Sequence, residues 1–302
     1  MGKNKLQKQV QIPKPESGLK FIDVHCHLPF TLEKSTLPSW ETQIQDFVNE
    51  GGICLITSSI DLDTLNSMYD ATLKNANMYY SCGWAPQTVT FTKPEVYNKE
   101  KEEWSDFIRS NNDYLSIGEI GLDFHHAKNL DERNRQIDEL RLIIKETIAL
   151  QKPYVFHVRN AGINDIDKKN PEHPFNLPDA ANQEILKILN EFNIEPKRCM
   201  WHCFSGPEEY GISLASKGFT LSVPSSAYGF TKWRKNSQNV PIENLVTETD
   251  AAFQHPFEYG PVNVPKNVTY SIAAIAYTHN LSQKEVAEYT VKNAERFFGK
   301  KF

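Results

Sequence analysis

Short apolar runs alternate with amphipathic segments along this chain. Eight runs read as β-strands: 20–24 (KFIDV), 53–57 (ICLIT), 79–83 (YYSCG), 115–118 (LSIG), 154–158 (YVFHV), 199–203 (CMWHC), 219–222 (FTLS) and 244–248 (NLVTE). The segments between them carry helical periodicity. The clearest is 131–150, where Ile137, Leu140, Ile144 and Ile148 recur beside a charged face. Near the end, Ser282 and Glu285 have the spacing of a capping box, and Val286, Thr290, Ala294 and Phe297 continue one helical face. Strands alternating with helices imply parallel βαβ units, and eight units predict an α/β fold closed as a (β/α)8 TIM barrel. An open doubly wound sheet is the competitor, but the chain has neither a GxGxxG nor a Walker loop. Two polar stretches, 86–103 and 160–181, read as long loops at the C-terminal face of the barrel. The second is either a lid or substrate wall, or a plain surface insertion.

Residues 1–18 carry lysines without an apolar stretch and read as a flexible, solvated arm; residues 19–302 read as one barrel domain. A net charge of −5 argues against a broad electrostatic grip on nucleic acid. It leaves a nucleic-acid substrate open, because bound cations supply positive charge locally. Five cysteines, an odd number without a CxxC pair, read as buried reduced thiols of a reducing compartment. No run approaches the ~18 apolar residues of a membrane span. These features point to a cytoplasmic or nuclear protein with no membrane partner.

The chemistry lies at the strand ends. His25 and His27 share one face of the first strand, with Cys26 on the other. Glu119 ends the fourth strand, His157 and His202 lie near the ends of the fifth and sixth, and Asp250 follows the eighth. A barrel gathers these ends at one mouth. Imidazole nitrogen and carboxylate oxygen suit zinc, manganese or iron. Six such residues exceed the three protein ligands of a mononuclear catalytic zinc, so two divalent cations are expected. Glu119 is the expected bridge and Asp250 the expected base. His125, His126, His173, His255 and His279 are expected in surface or loop roles, with His255 the nearest to the pocket.

The motifs IDVHCH (22–27), GEIGLDF (118–124), FHVRNA (156–161), HCFSG (202–206), TETDA (247–251) and VKNAERFFG (291–299) together resemble the TatD family of metal-dependent hydrolases. The resemblance implies an amidohydrolase-like barrel and hydrolysis assisted by two divalent metals (zinc, manganese or magnesium). It also implies deoxyribonuclease activity, often trimming from the 3′ end. The same six residues inherit the ligand roles. Four positions depart from the family pattern: Pro29 and Asn160 replace acidic residues, Ala85 replaces a histidine, and Ala252 replaces a proline.

Arg159 is a candidate to grip a phosphate or carboxylate. Asp123 is a candidate to hold a ligand histidine by its second ring nitrogen. Tyr228, Phe230 and Trp233 read as either a stacking surface for bases or an apolar cover. The leading expectation is a two-metal phosphodiesterase acting on DNA, with single-stranded ends as substrate. A small-molecule hydrolase of esters, amides or lactones is the alternative, and a barrel retained only for binding is a third.

Overall fold

All eight apolar runs form strands in the computed structural model, which describes residues 12–28, 37–258, 260 and 262–302. They are β1 (Phe21–Cys26), β2 (Gly52–Ser58), β3 (Met78–Cys82), β4 (Ser116–Asp123), β5 (Tyr154–Arg159), β6 (Cys199–Trp201), β7 (Thr220–Pro224) and β8 (Leu245–Glu248). They pair in parallel, in chain order, as one eight-stranded sheet. Its two ends meet at a seam where Thr247 Oγ1 donates to Ile22 O (2.9 Å), Asp250 N to His25 O (3.0 Å) and His27 N to Ala251 O (2.5 Å). The expected (β/α)8 barrel is the observed one.

The helices described are α1 (Trp40–Asn49), α2 (Leu62–Thr72), α3 (Pro86–Phe91), α4 (Pro94–Ser110), α5 (Leu130–Thr147) and α6 (Ala180–Glu191). They continue with α7 (Glu208–Ser216), α8 (Thr231–Ser237), α9 (Val268–His279) and α10 (Gln283–Phe298). None is long and apolar enough to cross a membrane. The strands are buried on both faces. Outside the barrel, Phe21 meets Phe47 of α1 edge-on at 5.4 Å between ring centres. Inside and below, Ile22, Val24, Ile56, Val155, Met200 and Val246 close against Ala294, Phe297 and Phe298 of α10. Each large apolar side chain so buried contributes about 1.5–3 kcal/mol. The capping box at Ser282 and Glu285 forms as its spacing predicts.

The stretch 160–181 is a loop as expected, while two other expectations change. The stretch 86–103 is not a loop: it forms α3 and most of α4. Pro86 and Pro94 each stand in the first turn of a helix, where a missing N–H costs nothing and the fixed φ helps. Tyr97, Lys101, Trp104 and Ile108 then bury one face of α4. The stretch 160–181 is mostly short turns, pinned by Arg133. That guanidinium is fully buried and donates to the carbonyls of Phe124, Ala127, Asp165 and Phe175 and to Asn176 Oδ1.

The described part of the N-terminal arm is mostly exposed, but it is tied to the barrel. Ile12 is buried, Gln283 grips the backbone of Lys14 and Glu16 (2.8 and 2.9 Å), and Tyr228 Oη donates to Ile12 O at 3.3 Å. Burial of Gln283 requires partners for its amide, and the strap supplies them. Residues 1–11 of the arm lie outside the described residues.

Candidate metal centre

His25 and His27 point their Nε2 atoms to one side, 3.2 Å apart, while Cys26 packs into the other layer of the core. The register of β1 against β2 shifts between Asp23 and Cys26, at the point where the strand turns from core to pocket. Ser58, at the end of β2, holds both rings from behind. Its carbonyl lies 3.1 Å from His27 Nδ1 and its hydroxyl 3.1 Å from His25 Nδ1. A carbonyl only accepts, so His27 Nδ1 carries the hydrogen, and the neutral ring offers its lone pair at Nε2, toward the pocket.

Glu119 occupies the centre, and its two oxygens face different partners. Oε2 lies 3.1 Å from His27 Nε2 and 3.4 Å from His25 Nε2. Oε1 lies 2.6 Å from His157 Nδ1 and 3.3 Å from His202 Nε2. The backbone can reach this position because residue 83 is glycine. A Cβ there would stand 1.9 Å from Ser59 O and 2.3 Å from Glu119 N. Burial opposes the charge of Glu119, but His202 and His157 outweigh it and hold the carboxyl well below its ordinary range.

Asp250 closes the other side, with Oδ1 3.4 Å from His27 Nε2 and 3.8 Å from His25 Nε2. Its backbone is left-handed (φ 52°), an uncommon state for a non-glycine residue. It is held by the Asp250 N bond to His25 O and by Asn263, whose Nδ2 donates to Thr249 O at 2.9 Å. Burial opposes its ionisation, yet the neighbouring histidines, His27 first, lower its pKa.

The six strand-end residues therefore meet in one pocket. Three trios of their donor atoms, His25–His27–Glu119, His25–His202–Asp250 and Glu119–His157–His202, each fall within 4.8 Å. The donor chemistry fits divalent cations: inward-facing imidazole nitrogens and ionised carboxylates, buried and converging. Without cations, burial disfavours charge on the rings, but the carboxylates reverse the balance for three of them, and Glu119 and Glu248 hold His202 well above its ordinary value. Asp250 and Glu119 raise His27 to about 10, and Glu119 and Asp123 raise His157 to about 9. His25 goes the other way, lowered by burial and by His202.

Asp123 is placed as expected. Its Oδ2 lies 3.1 Å from His157 Nε2 while Glu119 Oε1 lies 2.6 Å from Nδ1, so both ring nitrogens face carboxylate oxygens, and a neutral ring held by Asp123 at Nε2 would free Nδ1 for a cation. Arg159, by contrast, is exposed at the end of β5 and makes no ion pair among the described residues. His255 stays within its own loop, where it accepts from Phe257 N at 3.1 Å. Tyr228 packs edge-on to Phe257 and Tyr270, and Trp233 rests against the core. Four of the cysteines are buried, Cys203 is partly so, and all five are free thiols.

Three residues beside the pocket escaped the sequence reading. Gln87 donates to Asp123 Oδ2 at 2.8 Å, and His126 Nδ1 lies 2.7 Å from the same oxygen. Glu248, fully buried, accepts from Ser222 Oγ (2.6 Å) and stands 3.8 Å behind His202 Nδ1. Strand alternation hides Glu248, one residue before Thr249 in TETDA. Pro86, as a helix start, was the available signal for Gln87.

The family model described as TatD related DNase matches residues 22–299. The chain belongs to the TatD family. Within it, an uncharacterized metal-dependent hydrolase, MJ1582 of Methanocaldococcus jannaschii, is 25% identical over 93% of this chain and 97% of its own. The human deoxyribonuclease TATDN3 is 22% identical over 94% and 96%. Among solved structures, a TatD family hydrolase from Entamoeba histolytica superimposes with a TM-score of 0.73 at 16% identity, covering 93% of this chain and 99% of that one. The TatD homolog YJJV of Escherichia coli gives 0.70 at 19% identity, covering 92% and 98%. The protein is thus a metal-dependent hydrolase of the TatD family with a shared barrel.

The departures from the TatD pattern have structural outcomes. Ala85 is buried, and Gln87 reaches the Asp123–His157 pair from the following turn. Asn160 Oδ1 accepts from Ala181 N at 2.9 Å in the first turn of α6, a task an amide performs as well as a carboxylate. Pro29 lies outside the described residues.

Proposed function

We propose that this TatD protein is a two-cation phosphodiesterase that removes nucleotides from the 3′ ends of single-stranded DNA. The observation that carries the reading is the divided Glu119 carboxylate, with one oxygen toward His25 and His27 and the other toward His157 and His202. His25, His27, Asp250 and Oε2 would hold one cation; His157, His202 and Oε1 would hold the other. Bound there, two cations supply a water activated at neutral pH and offset the charge of the scissile phosphate.

The protein's own groups do the rest. Asp250, kept ionised by its histidine neighbours, takes the proton of the attacking water at Oδ1. Asp123 and Gln87 hold the His157 ring in one orientation. Arg159, free at the rim, grips a phosphate oxygen of the substrate. The name of the human relative, a deoxyribonuclease, supports DNA over a small ester.

The test uses protein loaded with manganese, magnesium or zinc, its metal content measured, and end-labelled oligonucleotides. The expected result is stepwise release of mononucleotides from the 3′ end of single strands, stopped by chelation. Intact DNA and RNA in the presence of fully metal-loaded protein would refute the assignment. Turnover of lactones or amides by that sample would replace it with the small-molecule alternative.

A further inference from the structure

Four histidines face the candidate cation positions, and a ligand histidine is ordinarily held from behind at its other ring nitrogen. Three of them are so held. Ser58 holds His25 and His27 at Nδ1, and Asp123 holds His157 at Nε2. His202 is the exception among the described residues. Its Nε2 faces Glu119 Oε1 at 3.3 Å, while its Nδ1 is sealed from solvent without a hydrogen bond.

A second unpaired atom lies beside it. Glu248 is fully buried; its Oε2 accepts from Ser222 Oγ at 2.6 Å, and its Oε1 has no hydrogen-bond partner among the described residues. Oε2 stands 3.8 Å from His202 Nδ1. That exceeds an ordinary hydrogen bond by about 1 Å, the scale of a small side-chain torsion. Buried polar groups without partners are rare and call for a reason, and here two of them belong to neighbouring side chains.

The strand end that carries Glu248 is fixed. Thr247 Oγ1 donates to Ile22 O at 2.9 Å, and Thr249 donates to the Asp23 carboxylate through N (2.9 Å) and Oγ1 (2.5 Å). Ser222, which grips Glu248, also accepts at 2.9 Å from the backbone N–H of Cys203, the residue after His202. The carboxyl group and the ring are thereby set in register across the ends of β6, β7 and β8. A neutral imidazole whose Nε2 lone pair engages a cation carries its hydrogen at Nδ1, and that hydrogen needs an acceptor.

We propose that Glu248 is the positioning residue of His202: once Nε2 engages a cation, Glu248 accepts the hydrogen at Nδ1 and fixes the ring in its ligand orientation. The proposal rests on the cation reading above and deepens it. Binding, rather than folding, is then the event that completes this hydrogen bond.

The experiment titrates metal-stripped, full-length protein with zinc by calorimetry, comparing Glu248→Gln, His202→Ala and the double variant with the unaltered chain. Glu248→Gln is expected to weaken one of the two binding events by about 10–100-fold and to leave the other unchanged. In the His202→Ala background the same substitution should cost nothing further, because the ring it positions is gone. Ser222→Ala, which frees the carboxyl group from its grip, should weaken the same event by less. Zinc affinities of Glu248→Gln equal to those of the unaltered chain overturn the proposal. So does a loss of the same size in both backgrounds, which marks Glu248 as structural. If Glu248→Gln does not fold, Ser222→Ala decides: a weakened event supports the proposal and an unchanged one overturns it. Unaltered protein that takes up no zinc overturns the cation reading instead, before any variant is made.

Discussion

The two sides of the pocket are built differently. On the β1–β8 side, His25 and His27 are backed by a neutral residue, Ser58, and the anionic partner is Asp250, inside the pocket. On the β5–β6 side, His157 and His202 are backed by carboxylates, Asp123 and Glu248, from outside the ring of donors. Counting Glu119, the first side thus presents four inward donors and the second three, with His202 also within 4.8 Å of the His25 and Asp250 donor atoms. A four-donor set encloses a cation, while a three-donor set leaves a position open for water or substrate. On the two-cation reading proposed above, this difference would divide the labour, with a resident cation beside Asp250 and a more exchangeable one beside His157, tuned by its outer carboxylates.

The sharpest way to break this comparison is Glu119→Ala. It is expected to abolish most binding of both cations and to cut turnover by about 10⁴-fold or more. Metal analysis and kinetics of the same preparation check it, and a loaded, active variant would contradict the shared carboxylate. Asp250→Asn keeps the shape but removes the base, and turnover should fall by about 10²–10³-fold while metal content falls less. Asp123→Asn tests the asymmetry directly. Titration should show one cation weakened by about 10–100-fold and the other unchanged; equal weakening of both would mean the two sides act as one.

Proton release gives a further measure. The cation-free pocket holds His27 at about 10 and His157 at about 9, so both rings carry protons at neutral pH and must lose them when a cation binds. Affinity should therefore rise by about tenfold per pH unit for each proton displaced, up to those values. The sign for stability is opposite. A raised histidine pKa contributes stability that is complete below the ordinary value of about 6.5 and is lost as pH climbs through the folded value. Chelated protein should accordingly lose Tm between pH 7 and 10. The smallest expected effect is that of Arg159→Ala, a rise in KM of about fivefold or less, since an exposed ion pair is weak.

Much of this was legible in the chain, and for a definite reason. Parallel barrels repeat one unit, so every strand end maps to the same mouth, and six polar residues at those ends can be collected without knowing any contact. Asp123 was accessible on the same logic, four residues beyond Glu119 at the end of β4. What stayed hidden depends on how separate units dock. Gln87 and His126 reach Asp123 from a helix start and a loop, where spacing along the chain says little about direction. The polar stretch after β3 concealed two helices because one buried face is enough to fold a mostly charged segment. The strap at Ile12 read as solvated because its anchors, Gln283 and Tyr228, lie more than 200 residues away.

The floor of the barrel is supplied by the end of α10, where Phe297 and Phe298 sit beneath strands made long before them. During synthesis, a ribosome that has already released β8 leaves a cylinder open at its base, with Ile22, Val24 and Met200 still wet. Completion waits on the last helix, so a chain cut before α10 should leave these side chains in water and fail to close the barrel.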